Sequence, residues 1–539
     1  MQRAQRVRRR NGGVWAFQWA DYVIVGGGLA GLATGALLAD QGHSVCLLEA
    51  HERVGGAAHG FSKGPYYFDT GPSLFAGGSL SGRDSSDPLA QLLRLLGIKL
   101  PVARYNTWGV LVPEGRFNSA VGAKDFSHTL RELRGRDAAA QFAELQRFMK
   151  PLAEAAVSIP PVALRRDLGI WRTVTPHLPR ALRHAAHFRL MSAPFSRVLD
   201  QVGVRDAFLR GWMDLLCFLL SGLPSDGTPT AEMAFMFRSF YGEDAYLEYP
   251  LGGVAALAQA LKDALEKRGG KVYTSSPVQS FWTENASQRV VGVTLVDGRR
   301  IKASRRVVSC ISLWDTARLL QDGSFQANAE PLPSFLHAHL VFKALDPESA
   351  STHFTDYIRG GQPPEHDGYN CHYIVVDNWE RLTEPQNVVA ISIPSVLDPS
   401  LSRSGEHTLH AYTPATEPYE LWENLDRERY RAQKLARGQV LLDAIARAVP
   451  GCADPDSIRM KLIGTPLTHE QYLRRYRGTY GAKPLLPWIR HDLPAGLALA
   501  GENSFPGIGV PAVITSALLT ALGEMPATLH ARYLQRLFE

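Results

Sequence analysis

Every position from Tyr22 to Val25 is apolar or β-branched, and from Leu29 to Asp40 apolar residues recur at helical spacing. This pattern predicts a buried parallel strand running into an amphipathic helix, and a second apolar run, Ser44 to Leu48, predicts the next strand. Helical spacing returns in DPLAQLLRLLGIKL and from Asp125 to Ile159, where Pro160 and Pro161 end it. Residues 162–222 form a further helical stretch rich in Leu, Phe, Trp, Arg and His. It reads as a cap packed on itself or, because Arg183, Arg189, Arg197 and Arg210 punctuate an apolar background, as a face that meets lipid. A helix is expected after Gly253, a turn at Gly269 and Gly270, a strand from Lys271 to Tyr273, and a hairpin at Asp297-Gly298. Between 330 and 460 short strands such as His339 to Phe342 and Val388 to Ile393 precede a helix from Arg427 to Ala448. Close to the end a strand, Leu497 to Ala500, leads through glycines to a helix from Val510 to Leu522. No internal repeat is evident.

The first strand turns into its helix at Gly26, Gly28 and Gly31, each with a separate duty. Gly26 permits the tight turn, Gly28 lets backbone N–H groups approach a pyrophosphate, and Gly31 lets helix pack on strand, with the helix N-terminus facing the negative charge. The second strand ends at Glu49, 21 positions past Gly28 (49 − 28), where a carboxylate accepts hydrogen bonds from adenosine ribose hydroxyls. Strand, helix, strand and acid together specify a dinucleotide; NAD, NADP and FAD all fit these residues.

The next two segments, ERVGGAAHGF from Glu52 to Phe61 and FDTGPSLF from Phe68 to Phe75, resemble the flavin amine oxidase and carotenoid desaturase superfamily. GTPLTHEQYLRRYRGTYGAKP at Gly464 to Pro484, LALAGENSFPGIGVPAV, GWMDLLCFLLSG and LEYPLGG are similar to its carotenoid isomerase branch, so that the resemblance spans Asp21 to Met525. It implies FAD as cofactor and an α/β fold: a Rossmann-type FAD-binding domain interleaved with a mixed-sheet α+β substrate domain and a helical cap. The FAD-binding parts are expected at 21–125, 249–318 and 463–526, the helical cap and substrate domain at 126–248 and 319–462, and tails at 1–20 and 527–539. The cofactor contacts implied are Gly26, Gly28, Leu29, Ala30, Gly31, Glu49, Ala50, Gly55, Gly56, Ala57, Val278, Glu502, Gly509 and Val510. Two positions depart from the pattern. Ala57 stands where many members carry an Arg that pairs with phosphate, and Glu502 stands where an Asp usually binds a ribityl hydroxyl. The C-terminal helix supports a flavin role physically, because the partial positive charge at its N-terminus stabilises the negative charge that a reduced flavin carries at its N1/C2=O edge.

At 539 residues, 45% hydrophobic and 20% charged, the chain can bury a large core and exceeds a usual single domain. A net charge of +6, without a basic block interleaved with aromatics, excludes a nucleic-acid footprint. Cys46, Cys217, Cys310, Cys371 and Cys452 are scattered without a CxxC pair and read as reduced and structural. Arg3, Arg6, Arg8, Arg9 and Arg10, with no acid before Asp21, read as an organellar transit segment, pointing to a plastid, or as a basic tail. The longest apolar strings, Gly507 to Gly523 and Trp212 to Leu223, fall short of the roughly 20 residues that span a bilayer, so that any membrane contact is peripheral.

No nucleophile elbow, HExxH or spaced Cys/His ligand set is present, and His337 and His339 are expected to alternate across a strand as structural residues, with no metal. The chemistry then belongs to the flavin. The acids offered for proton transfer are Glu232 and Glu248, with Asp226 and Arg238 close by, around a helix from Thr230 to Tyr241 that is expected to meet the substrate channel; solvation is their alternative role. The resemblance implies an apolar polyene substrate and cis-to-trans isomerisation using reduced flavin. A desaturase or saturase with net redox change, a non-catalytic flavoprotein in pigment-membrane assembly, and an amine oxidase with Tyr476 and Tyr480 near the flavin remain alternatives.

Overall fold

A computed structural model describes residues 19–84, 86–284, 288–321, 323–345, 368–482, 492–502 and 504–538. The basic residues Arg3 to Arg10 lie outside the described residues. Two seven-stranded sheets organise the described chain.

The first sheet grows from the apolar strand Trp19–Val25, which pairs in parallel with Val45–Leu48 on one side and with Arg300–Ser309 on the other. Lys271–Tyr273 extends one edge in parallel, and Leu497–Leu499 pairs in parallel with Val307 to Ser309. The hairpin strand Arg289–Leu295 and then Val278–Glu284 complete the other edge, antiparallel. Because the five parallel strands run the same way, the segments leaving Val25, Leu48, Ser309 and Leu499 emerge at one carboxyl edge, where α/β sheets bind ligands. The helix Leu29–Asp40 packs between this sheet and the helices Val510–Gly523 and Ala255–Lys267. The expected amphipathic face does not exist: Leu29 to Ala39 are all buried, because neighbours cover the helix on every side.

The second sheet runs Ile458–Gly464, His337–Lys343, Glu406–Tyr412, Val388–Ser392, His372–Val376, Thr107–Val112, Gly115–Ala120. It is antiparallel except where His372–Val376 meets Thr107–Val112, and the helix Arg427–Ala448 packs on it. Thr107–Val112 and Gly115–Ala120 therefore belong to the substrate sheet, which corrects the boundary at residue 125. Their alternation resembles any short strand, and only pairing assigns them.

The helical stretch from Asp125 to Ile159 is two helices, Ala123–Arg134 and Arg136–Ala156, broken at Gly135, whose φ of +89° ends the first and opens the second. Beyond them 162–222 is a chain of short helices ending in Ala207–Ser221, whose Trp212 is buried among Trp108, Phe126 and Phe208. The expected tail at 527–539 is instead a docked helix, Ala527–Phe538, with His530, Leu534 and Leu537 buried.

Candidate cofactor and substrate site

The two glycine-rich ends meet. A Cβ on Gly501 would lie 3.1 Å from the Cβ of Ala30, so that the C-terminal segment passes directly over the first helix. Between them opens a cavity of about 550 Å³.

At its first end the expected cradle is in place. Gly26 has φ +105° and donates its N–H to Leu48 O at 2.9 Å. A Cβ on Gly31 would sit 2.0 Å from Gly26 O, which is the close helix–strand approach that its absence permits. Gly28 caps the helix with extended backbone, and a Cβ there would meet only Gly56 Cα, at 3.9 Å, leaving the amide face of the turn open to the cavity. Gly55 and Gly56, both at positive φ, bring the second loop beside Gly28, with Gly55 N–H donating to Gly27 O at 2.8 Å. The Glu49 carboxylate accepts from Gly27 N and from His51 N, each at 2.7 Å. Burial raises its pKa while these N–H groups lower it. Each oxygen keeps a lone pair for a further donor, such as a ribose hydroxyl.

Leu29, Ala30, Ala50, Gly55, Gly56, Ala57 and Val278 line the cavity with Gly26, Gly28 and Glu49, while Glu502, Gly509 and Val510 line its other part. Gly31 is the exception among the expected contacts, since it packs against Gly26 rather than facing the cavity. Gly509 opens the helix Val510–Gly523 at φ +89°, and a Cβ there would meet no atom within 4 Å, so that the helix N-terminus is accessible from the cavity. Glu502 carries a partner that the sequence did not announce: Arg475 donates to it at 2.5 Å and to Tyr480 O at 2.5 Å. Burial raises the pKa of Glu502 and Arg475 opposes that shift. Arg318 and Arg474 line the cavity as well, and these three cations stand in the site that lacks an arginine at Ala57. The doubled Arg in HEQYLRRYRG was a visible signal, but nothing in its spacing assigned it to this wall.

Farther along, the wall is apolar and aromatic: Phe218 and Leu219 from the cap, then Phe335, Tyr412 and Tyr480. The Phe335 ring stands perpendicular to Tyr480 at 5.2 Å and lies 6.0 Å from Tyr412. Tyr476 instead stacks on Trp314 at 5.4 Å, half-exposed. The FDTG segment contributes Thr70 and Gly71, packed so closely on the GGAA loop that a Cβ on Gly71 would lie 2.1 Å from Ala57 O. Cys310 also borders the cavity, and burial pushes its thiol up to about 12, so it is no nucleophile.

Neither acid proposed for catalysis reaches this wall. Glu248 is fully buried and fixed by Leu80 N at 2.9 Å, Ser81 N at 3.0 Å and Ser81 Oγ at 2.6 Å, which makes it a loop anchor rather than a solvated or catalytic group. Glu232 is half-buried on Thr230–Tyr241 and burial raises it to about 7, yet it does not border the cavity. The cap helix that does so is Ala207–Ser221, through Phe218 and Leu219. Arg238 pairs with Asp84 at 2.9 Å. His337 and His339 do not alternate. A strand's side chains repeat every two residues, so both face the same side, with rings 6.2 Å apart and 1° from parallel.

A glycine-built turn, a buried acid and a second helix N-terminus converge on one cavity, an arrangement that suits a dinucleotide such as FAD. The chain belongs to the flavin-containing amine oxidoreductase family, whose model matches residues 29–522; it is an FAD-dependent enzyme. It is 28% identical over 524 residues to prolycopene isomerase 1 of an Oncidium hybrid cultivar, covering 93% of this chain and 83% of the relative. It is 27% identical to the chloroplastic prolycopene isomerase of Arabidopsis thaliana, over 95% of this chain and 83% of that one, and 25% identical to the all-trans-retinol 13,14-reductase of Rattus norvegicus, covering 95% and 86%. The fold is similar to that of an oxidoreductase from Methanosarcina mazei, with a TM-score of 0.56 at 16% identity covering 92% and 98% of the two chains. Putrescine oxidase gives a TM-score of 0.55 at 16% identity, covering 96% and 99%.

Proposed function

We propose that this enzyme isomerises a poly-cis carotenoid or similar long polyene to its trans form, with reduced FAD and no net redox change. The observation that carries this reading is the similarity to prolycopene isomerases along more than nine-tenths of the chain. The cavity chemistry agrees with it. Among the described residues the acids that line the cavity are Glu49, Asp315 and Glu502, and all three are engaged: Glu49 by backbone N–H groups, Asp315 by Arg318 and Tyr476 N, Glu502 by Arg475. A cationic amine finds no free carboxylate among the described lining residues, whereas a hydrocarbon finds Phe218, Leu219 and Phe335.

Bound FAD supplies reversible electron donation to a conjugated double bond. The chain's own residues would hold and shield: Gly26 and Gly28 would admit the pyrophosphate, Glu49 would accept from the ribose, the helix beginning at Val510 would face negative charge, and the aromatic wall would exclude water from the polyene. Rotation about a double bond needs no proton, and the described lining residues include no free acid that would deliver one.

A second reading, a saturase of the same substrate class, is favoured by the similarity to the retinol reductase. Anaerobic incubation of the chemically reduced holoenzyme with a poly-cis carotenoid in liposomes separates them. Many trans products per flavin with no acceptor and no change in product mass support isomerisation. One product per flavin, heavier by two hydrogens, rejects it.

On the same reading we infer a plastid location, since the relatives are named chloroplastic. We also infer peripheral membrane contact. Among the described residues no helix is long and apolar enough to cross a membrane. Leu168, Trp171, Leu182 and Phe188 are nevertheless exposed, interleaved with the exposed Arg172, Arg180, Arg183 and Arg189. This composition suits the headgroup layer of an anionic bilayer, from which a water-insoluble polyene is taken.

A further inference from the structure

Towards the substrate sheet the cavity wall carries polar atoms among its rings. Around Phe335 stand His469 at 5.2 Å, Tyr480 at 5.2 Å, His337 at 5.4 Å and Tyr412 at 6.0 Å, and all five residues line the cavity. His337 bonds to His410 at 2.8 Å. His469 is left with an open edge. Its side chain belongs to a residue only 8% exposed, and its Nδ1–H donates to Gly478 O at 2.7 Å. A carbonyl can only accept, so this bond fixes the tautomer and leaves Nε2 as a bare lone pair on the other side of the ring. Nε2 has no hydrogen-bond partner among the described residues, and neither do the hydroxyls of Tyr412 and Tyr480. A buried acceptor and two hydroxyls open to one cavity call for a ligand that satisfies them.

On the polyene reading above, we propose that His469 Nε2 and the hydroxyls of Tyr412 and Tyr480 bind a hydroxyl group carried by the polyene, so that the substrate is a polyene alcohol rather than a bare hydrocarbon. Nε2 only accepts, so the ligand must donate; a hydrocarbon, an ether or a carbonyl has no proton to offer it. The tyrosine hydroxyls donate in turn to lone pairs on the ligand, and an alcohol is the small neutral group that both donates and accepts. Burial and the neighbouring Tyr480 raise the pKa of Tyr412, and burial raises that of Tyr480 against the opposing Arg475, so both remain protonated donors. Burial, then His337 and Arg475, hold His469 well below 6.5, which keeps its lone pair free at neutral pH. The same Arg475 opposes a cationic end group at this place, and a carboxylate would meet the lone pair of Nε2. A site built to hydrogen-bond a hydroxyl discriminates strongly against the analogue that lacks it, because its own buried groups are then left unpaired.

The test uses the full-length FAD-loaded protein and three probes in detergent micelles: β-cryptoxanthin, which carries one hydroxyl, its methyl ether, and β-carotene. Binding is read from the shift of the polyene absorption band. The alcohol is expected to bind at least about 10-fold more tightly than the ether or the hydrocarbon. Tyr412→Phe and Tyr480→Phe delete only a hydroxyl and should each reduce that preference by about threefold or more, and His469→Phe should abolish it, with FAD content unchanged throughout. Equal affinity of the wild type for the three probes overturns the proposal, as does a preference that survives all three substitutions. Loss of FAD from the variants, without an alcohol preference in the wild type, assigns these groups to the flavin and overturns it too. Failure of every probe to bind rejects the polyene reading itself, and the proposal with it, so the two failures are distinguishable.

Discussion

Glu49 shows how one side chain joins two loops beside the cavity. It ties two loops together through Gly27 and His51, and it presents its remaining lone pairs to the cavity. Glu49→Ala is expected to cost about 1.5–3 kcal/mol of FAD affinity, a charged-acceptor hydrogen bond's worth, measured by fluorescence titration of the apoprotein; an unchanged dissociation constant would reject the ribose role. The pair Arg475–Glu502 is a partly buried ion pair with side chains 13% and 22% exposed. Glu502→Ala strands the guanidinium and is expected to destabilise by about 3 kcal/mol, towards the lower end for buried pairs given this exposure, while the double variant Arg475→Met, Glu502→Ala recovers part of the loss. Additive losses in a denaturation cycle would show that the two do not interact. His372 is buried between Ser73 Oγ at 2.9 Å and Tyr105 OH at 3.0 Å, and burial lowers its pKa from 6.5 to about 3. Between those values the unfolded chain binds a proton that the folded one refuses, so the contribution of His372 is full above pH 6.5 and falls as pH drops towards 3. Relative to His372→Gln, wild-type stability should lose up to about 1.4 kcal/mol more per pH unit in that window. Parallel urea midpoints for the two proteins between pH 7 and 5 would contradict this.

Among the elements, the helix Val510–Gly523 is the one whose placement matters most to the site, and its far end is held by a residue outside every motif. Arg165, with a side chain 3% exposed, donates to Leu522 O at 3.0 Å and Met525 O at 2.9 Å and contacts His530 Nδ1 at 3.1 Å. His530 in turn meets Val162 O at 2.8 Å, holding Ala527–Phe538 against the turn Pro161–Ala163, which itself packs on the helix Val510–Gly523. Arg165→Met removes donors from buried carbonyls, each worth about 1–3 kcal/mol when left unsatisfied. Faster proteolysis at the C-terminal helix and lower retention of FAD on dilution are expected; unchanged values for both would show that the helix is positioned by packing alone. The interior of Leu29–Asp40 illustrates the opposite dependence. Its helical period was readable, but its total burial arises from helices more than two hundred residues away in sequence.

For the whole molecule, the proposed function raises the question of how a polyene would reach the cavity in a chain without a spanning helix among its described residues. The exposed Trp171, Leu182 and Phe188 with their arginines provide an answer that liposome flotation checks. Each basic residue near an anionic surface contributes about 1 kcal/mol, so changing Arg183, Arg189 and Arg197 to Glu should weaken binding by at least about 100-fold at low salt, with FAD content unchanged. Wild-type protein that stays soluble with anionic liposomes would make 162–222 a packed cap only.

The sequence by itself determined what local periodicity and backbone geometry decide. The turns at Gly26 and Gly298, the strand Lys271–Tyr273, the helix Arg427–Ala448 and the acid Glu49 just past a strand were legible because each needs only neighbouring residues and a familiar motif. Tertiary structure alone decided the rest. Thr107–Val112 joins the substrate sheet because of partners at His372–Val376, Glu248 is an anchor because Leu80 and Ser81 fold back on it, and Arg475 reaches Glu502 across a loop. The histidine cluster has the same origin: His337 and His339 are two apart in sequence, but His410 reaches His337, at 2.8 Å, only through strand register. Pairing across strands and the resulting burial depend on distant segments, and no local window of sequence contains them.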